Sequence, residues 1–519
     1  MTTRTLYGWF AASVAANPDQ VALEVGDLAL TYARLDAVAA DVAHRMCRAA
    51  DGVPARVGLL TSRGAVGYVA YLAALRLGAV VVPLNPNAPA VRNLDITREA
   101  GVTLTVLDET SGAGAADFRK GADRALLDLS GYDLREAGSR PEAAGTPAVS
   151  VGDDDGIAYI IFTSGTTGRP KGVPIVNRSI HAYLSHVIDR YALGPGCRVS
   201  QMFEMSFDAS LLEIFGSWGS GATLCVPTAA EVFTPVRYVN ARRLTHWMSV
   251  PSVISFAKQL RGLAPGSMPT VRRAVFGGET LTVEQAEAFS AAAPNATVHN
   301  TYGPTEITVF VTDYQLPADR TAWPETSNRS VPIGALFPGM DWVLVDDRQR
   351  VSERDGELCV RGVQRFGGYL DPEQSRERFV SVDGGVASTY DGTRALVAED
   401  YYRTGDRCRF DGGELVHLGR IDNQVKIRGH RIELGEIEAV LRRHPGVVAM
   451  VVVAVTASDG EVELHAVHTG DEVFAEQFAD LLATLPAYMH PRRFHHRDSV
   501  PVTAVGKVDR KRLTAELAR

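Results

Sequence analysis

The chain has 519 residues, 45% of them hydrophobic and 22% charged, and a formal net charge of -8 at pH 7. Such a length predicts about two to four globular domains, and the mild acidity leaves no electrostatic footprint for nucleic acid or an anionic membrane. With no charged-then-apolar leader and no apolar run of spanning length, the expected setting is the cytosol, with no membrane or nucleic-acid partner.

In chain order, Val21 to Val25 and Leu28 to Tyr32 read as a hairpin around Gly26-Asp27, and Leu35, Val38, Val42 and Met46 as a helix stripe. A strand at Val57 to Leu60, a helix from about Ala65 to Leu77 and a strand at Ala79 to Pro83 follow. This alternation predicts α/β layers. Residues 110 to 150, rich in Ala, Gly, Ser and charge, read as a surface connection. The apolar run IAYIIF then feeds directly into TSGTTGRPKG, residues 163 to 172. Gly165, Gly168 and Gly172 let backbone amides approach an anion. Thr163, Ser164, Thr166 and Thr167 can donate to its oxygens, and Lys171 adds charge, so the segment reads as a grip on a nucleotide triphosphate. It lacks the spacing of a Walker-type loop.

Phe207-Asp208-Ala209-Ser210 precedes the helical pattern LLEIFGSW, where Asp208 is either an N-cap or a carboxylate for a cationic ligand group. In Asn300-Thr-Tyr-Gly-Pro-Thr-Glu306, a Gly-Pro turn separates an aromatic from a hydroxyl and a carboxylate. Tyr302 is a core ring or a base platform, and Glu306 a solvated charge or a metal ligand. After about residue 340 short strands and turns dominate. Tyr402-Arg-Thr-Gly-Asp406 offers a carboxylate to a ribose or an ordinary Asx turn. A boundary falls near Arg420 to Asn423. Beyond it Leu434, Ile437, Val440 and Leu441 mark a helix, AMVVVAV a buried strand and VELHAVH an alternating one. Lys507 lies in Val505-Gly-Lys-Val-Asp-Arg510, and the five cysteines, Cys47, Cys197, Cys225, Cys359 and Cys408, lack a C-x-x-C pair and read as buried free thiols.

Taken together, these motifs resemble the adenylate-forming enzymes, and more narrowly the amino-acid adenylation domains of nonribosomal peptide synthetases. The resemblance runs from Leu30-Thr31-Tyr32 through LRLGAVVVPLNPNAPAVR, TSGTTGRPKG, FDAS, NTYGPTE, GELCVRG, YRTGD and GRIDNQVKIRGHRIELGEIE to GKVDR. It implies an α/β fold with a large multi-subdomain N-terminal core, residues 1 to 420, and a small mobile α+β domain, residues 421 to 519, hinged near Asp422. It also implies an ATP site made by Thr163, Ser164, Gly165, Thr166, Thr167, Lys171, Gly278, Asn300, Tyr302, Gly303, Thr305, Asp406, Arg420 and Lys507. Tyr302 would stack on adenine, Asn300 contact its edge, Asp406 hold the ribose and Thr305 the α-phosphate, with Mg2+ on Glu306. Lys507 would serve adenylate formation, and Lys426 with Gly429 the transfer step after a domain rotation.

By the same resemblance Asp208 holds an α-ammonium, and the pocket comprises Phe207, Asp208, Ala209, Leu212, Met248, Val275, Gly277, Thr301, Val309, Phe310 and Lys507. A mostly apolar wall with one hydroxyl implies a neutral, hydrophobic or aromatic amino acid. The implied reaction makes aminoacyl-AMP from ATP and passes the acyl group to the phosphopantetheine thiol of a separate carrier protein, as in antibiotic biosynthesis. The alternatives within the fold are an acyl-CoA ligase and an amide-forming ligase using an amine. With no carrier-attachment segment before Arg519, a free-standing enzyme is expected. Residues 380 to 400 look long for a connection, which suggests a lid or a partner contact.

Overall fold

A computed structural model describes residues 3–137, 153–165, 170–422, 424–456, 462–501 and 508–518. Thr166, Thr167, Gly168, Asn423 and Lys507 therefore lie outside the described residues. Two largely parallel sheets dominate the chain up to residue 336. One has six strands in the order 125–128, 104–107, 56–60, 80–83, 157–163, 171–176. The other has nine, running from Ala335–Leu336 through Thr297–Tyr302, Arg273–Phe276 and His246–Ser249 to the hairpin Val21–Val25 and Leu28–Thr31. Parallel strands need crossover helices, which is why helical and strand patterns alternate in the sequence.

Helices wedge between these sheets. AVGYVAYLAALR, the helix Ala65–Arg76, is apolar almost all round and buries every residue from Val66 to Leu75. Beside it Ser210–Ser220 buries Leu212, Phe215 and Trp218. The Trp218 ring meets Phe10 at 5.8 Å, Phe215 at 5.7 Å and Tyr68 at 6.4 Å between centroids. Its indole N–H donates to the Ala22 carbonyl at 3.0 Å, tying the helix to the first hairpin. A third, antiparallel sheet carries Met340–Val345, Asp355–Gly362, Tyr401–Asp411 and Glu414–Arg420. After residue 422 come the hairpin Gln424–Ile427 and His430–Glu433, the helix Leu434–Leu441 and a three-stranded sheet. These gather a separate apolar core around Ile432, Ile437, Leu441, Val452, Phe478 and Met489.

Two expectations need correction. Residues 110 to 150 are not simply a surface connection, because Ala115–Gly121 is helical and Ala125–Asp128 adds an edge strand beside Leu104–Leu107. Within residues 380 to 400, Phe379–Asp383 and Val386–Thr389 form an antiparallel hairpin of the third sheet rather than a long connection. Cys225, Cys359 and Cys408 are buried free thiols, whereas Cys47 and Cys197 are half-buried. Among the described residues no helix is long and apolar enough to cross a membrane.

Trp218→Ala empties the space between the first hairpin and both inner helices. It is expected to cost about 3–5 kcal/mol, seen as a lower urea midpoint followed by far-UV circular dichroism. An unchanged midpoint would mean that this aromatic cluster does not support the fold.

Candidate active site

The site forms where the edges of the two parallel sheets meet the 424–433 hairpin. Strands Ile157–Thr163 and Lys171–Val176 pair antiparallel with Thr163 opposite Lys171, so the two ends of the TSGTTGRPKG segment lie side by side. Thr163 Oγ1 is buried and has no hydrogen-bond partner among the described residues, while Ser164 Oγ donates to the Arg431 carbonyl at 2.7 Å. Lys171 is 5% exposed, and its ammonium lies 5.5 Å from the Tyr369 ring centroid. Burial, with Arg378 second, pulls its pKa down to about 8. A cation held dry beside an open hydroxyl suits a phosphate oxygen.

Asp208 settles one of the two readings left open. The helix Ser210–Ser220 has Ala209 as its N-cap and no side-chain cap bond, so Asp208 is not a cap. Among the described residues its buried Oδ2 has no hydrogen-bond partner, and burial lifts the carboxyl to about 6, with Thr305 and Lys426 acting against the rise. The same cavity is lined by Phe207, Ala209, Gly278, Gly303, Thr305, Phe310, Asp406, Arg420 and Lys426. Asp406 is not in an Asx turn but inside the strand Tyr401–Asp411. It is 2% exposed and accepts from the Tyr302 hydroxyl at 2.7 Å, with His417 Nε2 at 3.0 Å and Arg420 Nη1 at 3.2 Å. Burial would raise its pKa, but Arg420 and His417 hold it far below the usual carboxylate range. The Asn300 amide donates to the carbonyls of Val331 and Pro332 at 3.0 and 2.8 Å, so its nitrogen is already committed to the backbone. The Thr301 hydroxyl likewise donates to the Phe276 carbonyl at 2.9 Å, which leaves the expected pocket wall without a free hydroxyl.

The hairpin brings in what sequence reasoning passed over. Glu306 is fully buried, and Arg431 Nη1 donates to both of its oxygens at 3.1 and 2.9 Å while the Tyr369 hydroxyl adds 2.7 Å. Burial opposes ionisation there, yet Arg431 and Tyr369 bring the carboxyl down to about 2. The Gly429 amide donates to Glu279 Oε1 at 2.7 Å, and Arg92 pairs with Glu436 at 2.5 Å. Lys426 is thereby drawn into the cavity. Burial lowers its pKa, and the negative fields of Asp406 and Asp208 act to restore it. At the chain crossing, Arg420 grips both Asp422 oxygens at 2.9 and 2.6 Å. A Cβ on Gly405, at φ +73, would come within 2.6 Å of that guanidinium, so only glycine fits.

In this arrangement Glu306 does not fit the Mg2+ assigned to it, since a guanidinium and a phenol already share the carboxylate. No group of three or more His, Cys, Asp or Glu residues able to hold a metal occurs among the described residues. The sequence motifs gave no role to Glu279, Tyr369 or His417, although Tyr369 stands in GGYLDPEQSRERF and His417 in GELVHLGR. Arg431 does stand in the quoted GRID…GEIE string, but without its partner it carried no role.

Arg431→Met strands a buried carboxylate, which is expected to cost about 3–5 kcal/mol at neutral pH. The Glu306 pKa is depressed from 4.5 to about 2, so the stability it contributes is fully present above pH 4.5 and fades as pH falls toward 2. The gap between wild type and variant in urea titrations should follow that window. A gap that is constant with pH would remove the ion pair as its source.

Residues 10–370 match the family model for the AMP-binding enzyme. Phosphinothricin tripeptide synthetase PhsC of Streptomyces viridochromogenes is 36% identical over 99% of this chain and 45% of its own length, so the chain spans less than half of that relative. The Vibrio cholerae adenylation domain AlmE, solved in complex with glycyl-adenosine-5'-phosphate, superposes with a TM-score of 0.81 at 26% identity, covering 100% of this chain and 98% of its own. Holo-PA1221, an NRPS protein containing adenylation and PCP domains, gives a TM-score of 0.80 at 25% identity over 98% of this chain and 84% of its own. The multi-layered α/β core followed by a smaller α+β unit is thus that of these adenylation domains, and the chain belongs to the AMP-binding enzymes as an adenylate-forming ligase.

Proposed function

We propose that this enzyme activates a neutral amino acid as aminoacyl-AMP and then passes the aminoacyl group to the phosphopantetheine thiol of a carrier protein in peptide-antibiotic synthesis. The observation that carries the reading is Asp208, whose Oδ2 is buried in the cavity without a hydrogen-bond partner among the described residues. A carboxylate in that state stabilises a bound ammonium and penalises an acid that lacks one. The AlmE complex with glycyl-adenosine-5'-phosphate and the paired adenylation and PCP domains of PA1221 support the two halves of the reaction.

In the first half, the substrate carboxylate oxygen attacks the α-phosphorus of ATP, and the bond to pyrophosphate breaks in line. Positive side chains offset the charge that spreads over the phosphoryl oxygens. Lys171 is suited to the outer phosphates. Thr305 lines the cavity beside Asp208, at the place proposed for the α-phosphate. Lys507, proposed to bridge the substrate carboxylate and the phosphate, lies outside the described residues. Mg2+ is the cation proposed to accompany ATP.

In the second half, the carrier thiolate attacks the acyl carbon and AMP leaves. Lys426 and Gly429 face the cavity in the present arrangement, as that half requires. We further propose that the two halves alternate by rotation of the unit after residue 420 about Asp422.

Asp208→Ala is expected to lower amino-acid-dependent ATP–pyrophosphate exchange by about 100-fold or more, the equivalent of about 3–5 kcal/mol for a desolvated pair. Full exchange in the variant would contradict the ammonium assignment. Lys171 titrates near 8, so its charge is present below that pH and lost above it. Apparent ATP affinity should fall by about tenfold per unit above pH 8 and stay level in Lys171→Arg. A level wild-type profile would place the triphosphate elsewhere.

A further inference from the structure

The size of the substrate side chain follows from Phe310. An ammonium at Asp208 fixes the α-carbon close by, so the side chain must enter whatever room lies beyond that carboxylate. Of the residues expected to form the pocket, Phe207, Asp208, Ala209 and Phe310 line the cavity, and among those that do not are Leu212, Met248 and Val275. Those three are 0%, 0% and 2% exposed and belong to the same apolar core as Phe310 itself. Phe310 alone of these four stands both in the cavity wall and in that core. Its Cε1 and Cζ stand 2.6 Å from the place a Cβ on Gly277 would occupy, so the ring lies against the backbone of Gly277, just past the strand Arg273–Phe276.

The ring is also held where it is. The Phe310 carbonyl accepts from Gln364 Nε2 at 2.9 Å, and that amide also bonds the carbonyls of Ile307 and Thr308. The Phe310 Cα would meet a Cβ on Gly303 at 2.7 Å, so the backbones are in close contact there too. No polar group replaces the lost depth, because the Thr301 hydroxyl is spent on the Phe276 carbonyl.

We propose that Phe310 is the floor of the substrate pocket and restricts the activated amino acid to a side chain no larger than a methyl group, glycine or alanine. This rests on the amino-acid-activating reading above and narrows its neutral amino acid to the smallest ones, in place of the hydrophobic or aromatic side chain expected from the sequence. Shape sets the limit: a methyl group meets the Phe310 ring edge and the Ala209 methyl, and a branched or aromatic side chain would overlap the ring.

The test is ATP–pyrophosphate exchange with glycine, alanine, valine, leucine, phenylalanine and a propionate control. The wild type is expected to show kcat/KM for glycine or alanine at least 100-fold above leucine and phenylalanine. In Phe310→Ala the leucine-to-alanine ratio should rise at least tenfold, with Phe310→Leu as the milder variant if the first fails to fold. Wild-type preference for leucine or phenylalanine, or an unchanged ratio in a folded variant, overturns the floor while leaving amino-acid activation intact. Exchange with propionate and with none of the amino acids overturns the floor together with the reading beneath it.

Discussion

The arrangement of this site depends on one buried ion pair, Arg431 with Glu306. A fully buried carboxylate is tolerable only when it is neutralised and hydrogen-bonded. Glu306 sits on a short 3-10 turn, Thr305–Ile307, that leaves it no route to water, and its compensation comes from Arg431, 125 residues later, and the Tyr369 hydroxyl. Once Arg431 is seated, the Gly429 amide reaches Glu279 and Ser164 caps the Arg431 carbonyl. Lys426 is carried in between Asp406 and Asp208 by the same movement of chain. One charge pair thus fixes the hairpin and, through it, the cationic lining of the cavity.

That pair also sets a constraint on the chemistry. The Glu306 oxygens serve either the guanidinium or another cation, so the docked hairpin and a metal on this carboxylate exclude each other. The Arg420 clamp on Asp422 plays a complementary part at the point where the chain leaves the large unit. Because Arg420 also faces Asp406, the crossing point and the cavity share one guanidinium. A change in either alters the electrostatics of the other.

Much of the scaffold was legible in the sequence because it rests on local periodicity. The hairpin at residues 21 to 32, the buried helix from Ala65 and the apolar run entering TSGTTGRPKG all lie where apolar spacing placed them, whereas the returning strand Lys171–Val176 carried no expectation. The edge strand Ala125–Asp128 escaped notice because it is four residues long and half-buried, so its apolar signal is weak. The hairpin at 379–389 was missed because its second strand is largely exposed, with only Ala387 buried. In the site, Asp208 could be singled out from its neighbours, though they left it open between a helix cap and a ligand carboxylate. Glu279, Tyr369 and His417 could not, since each acts through a partner brought near by sheet register or by the docked hairpin. Phe310 could be counted as pocket wall, but its seat on Gly277 depends on how strands 273–276 and 297–302 pair and how the turn after Glu306 returns the chain.

Hydrogen exchange at the Gly429 amide tests the central claim most directly, because that N–H is bonded only when the hairpin is docked on Glu279. The ion pair predicts slow exchange across 424–433 in the wild type and fast exchange there in Arg431→Met, with the strands 273–276 and 297–302 equally protected in both. Equal protection of the hairpin in both proteins would contradict the claim that Arg431 and Glu306 hold it in place.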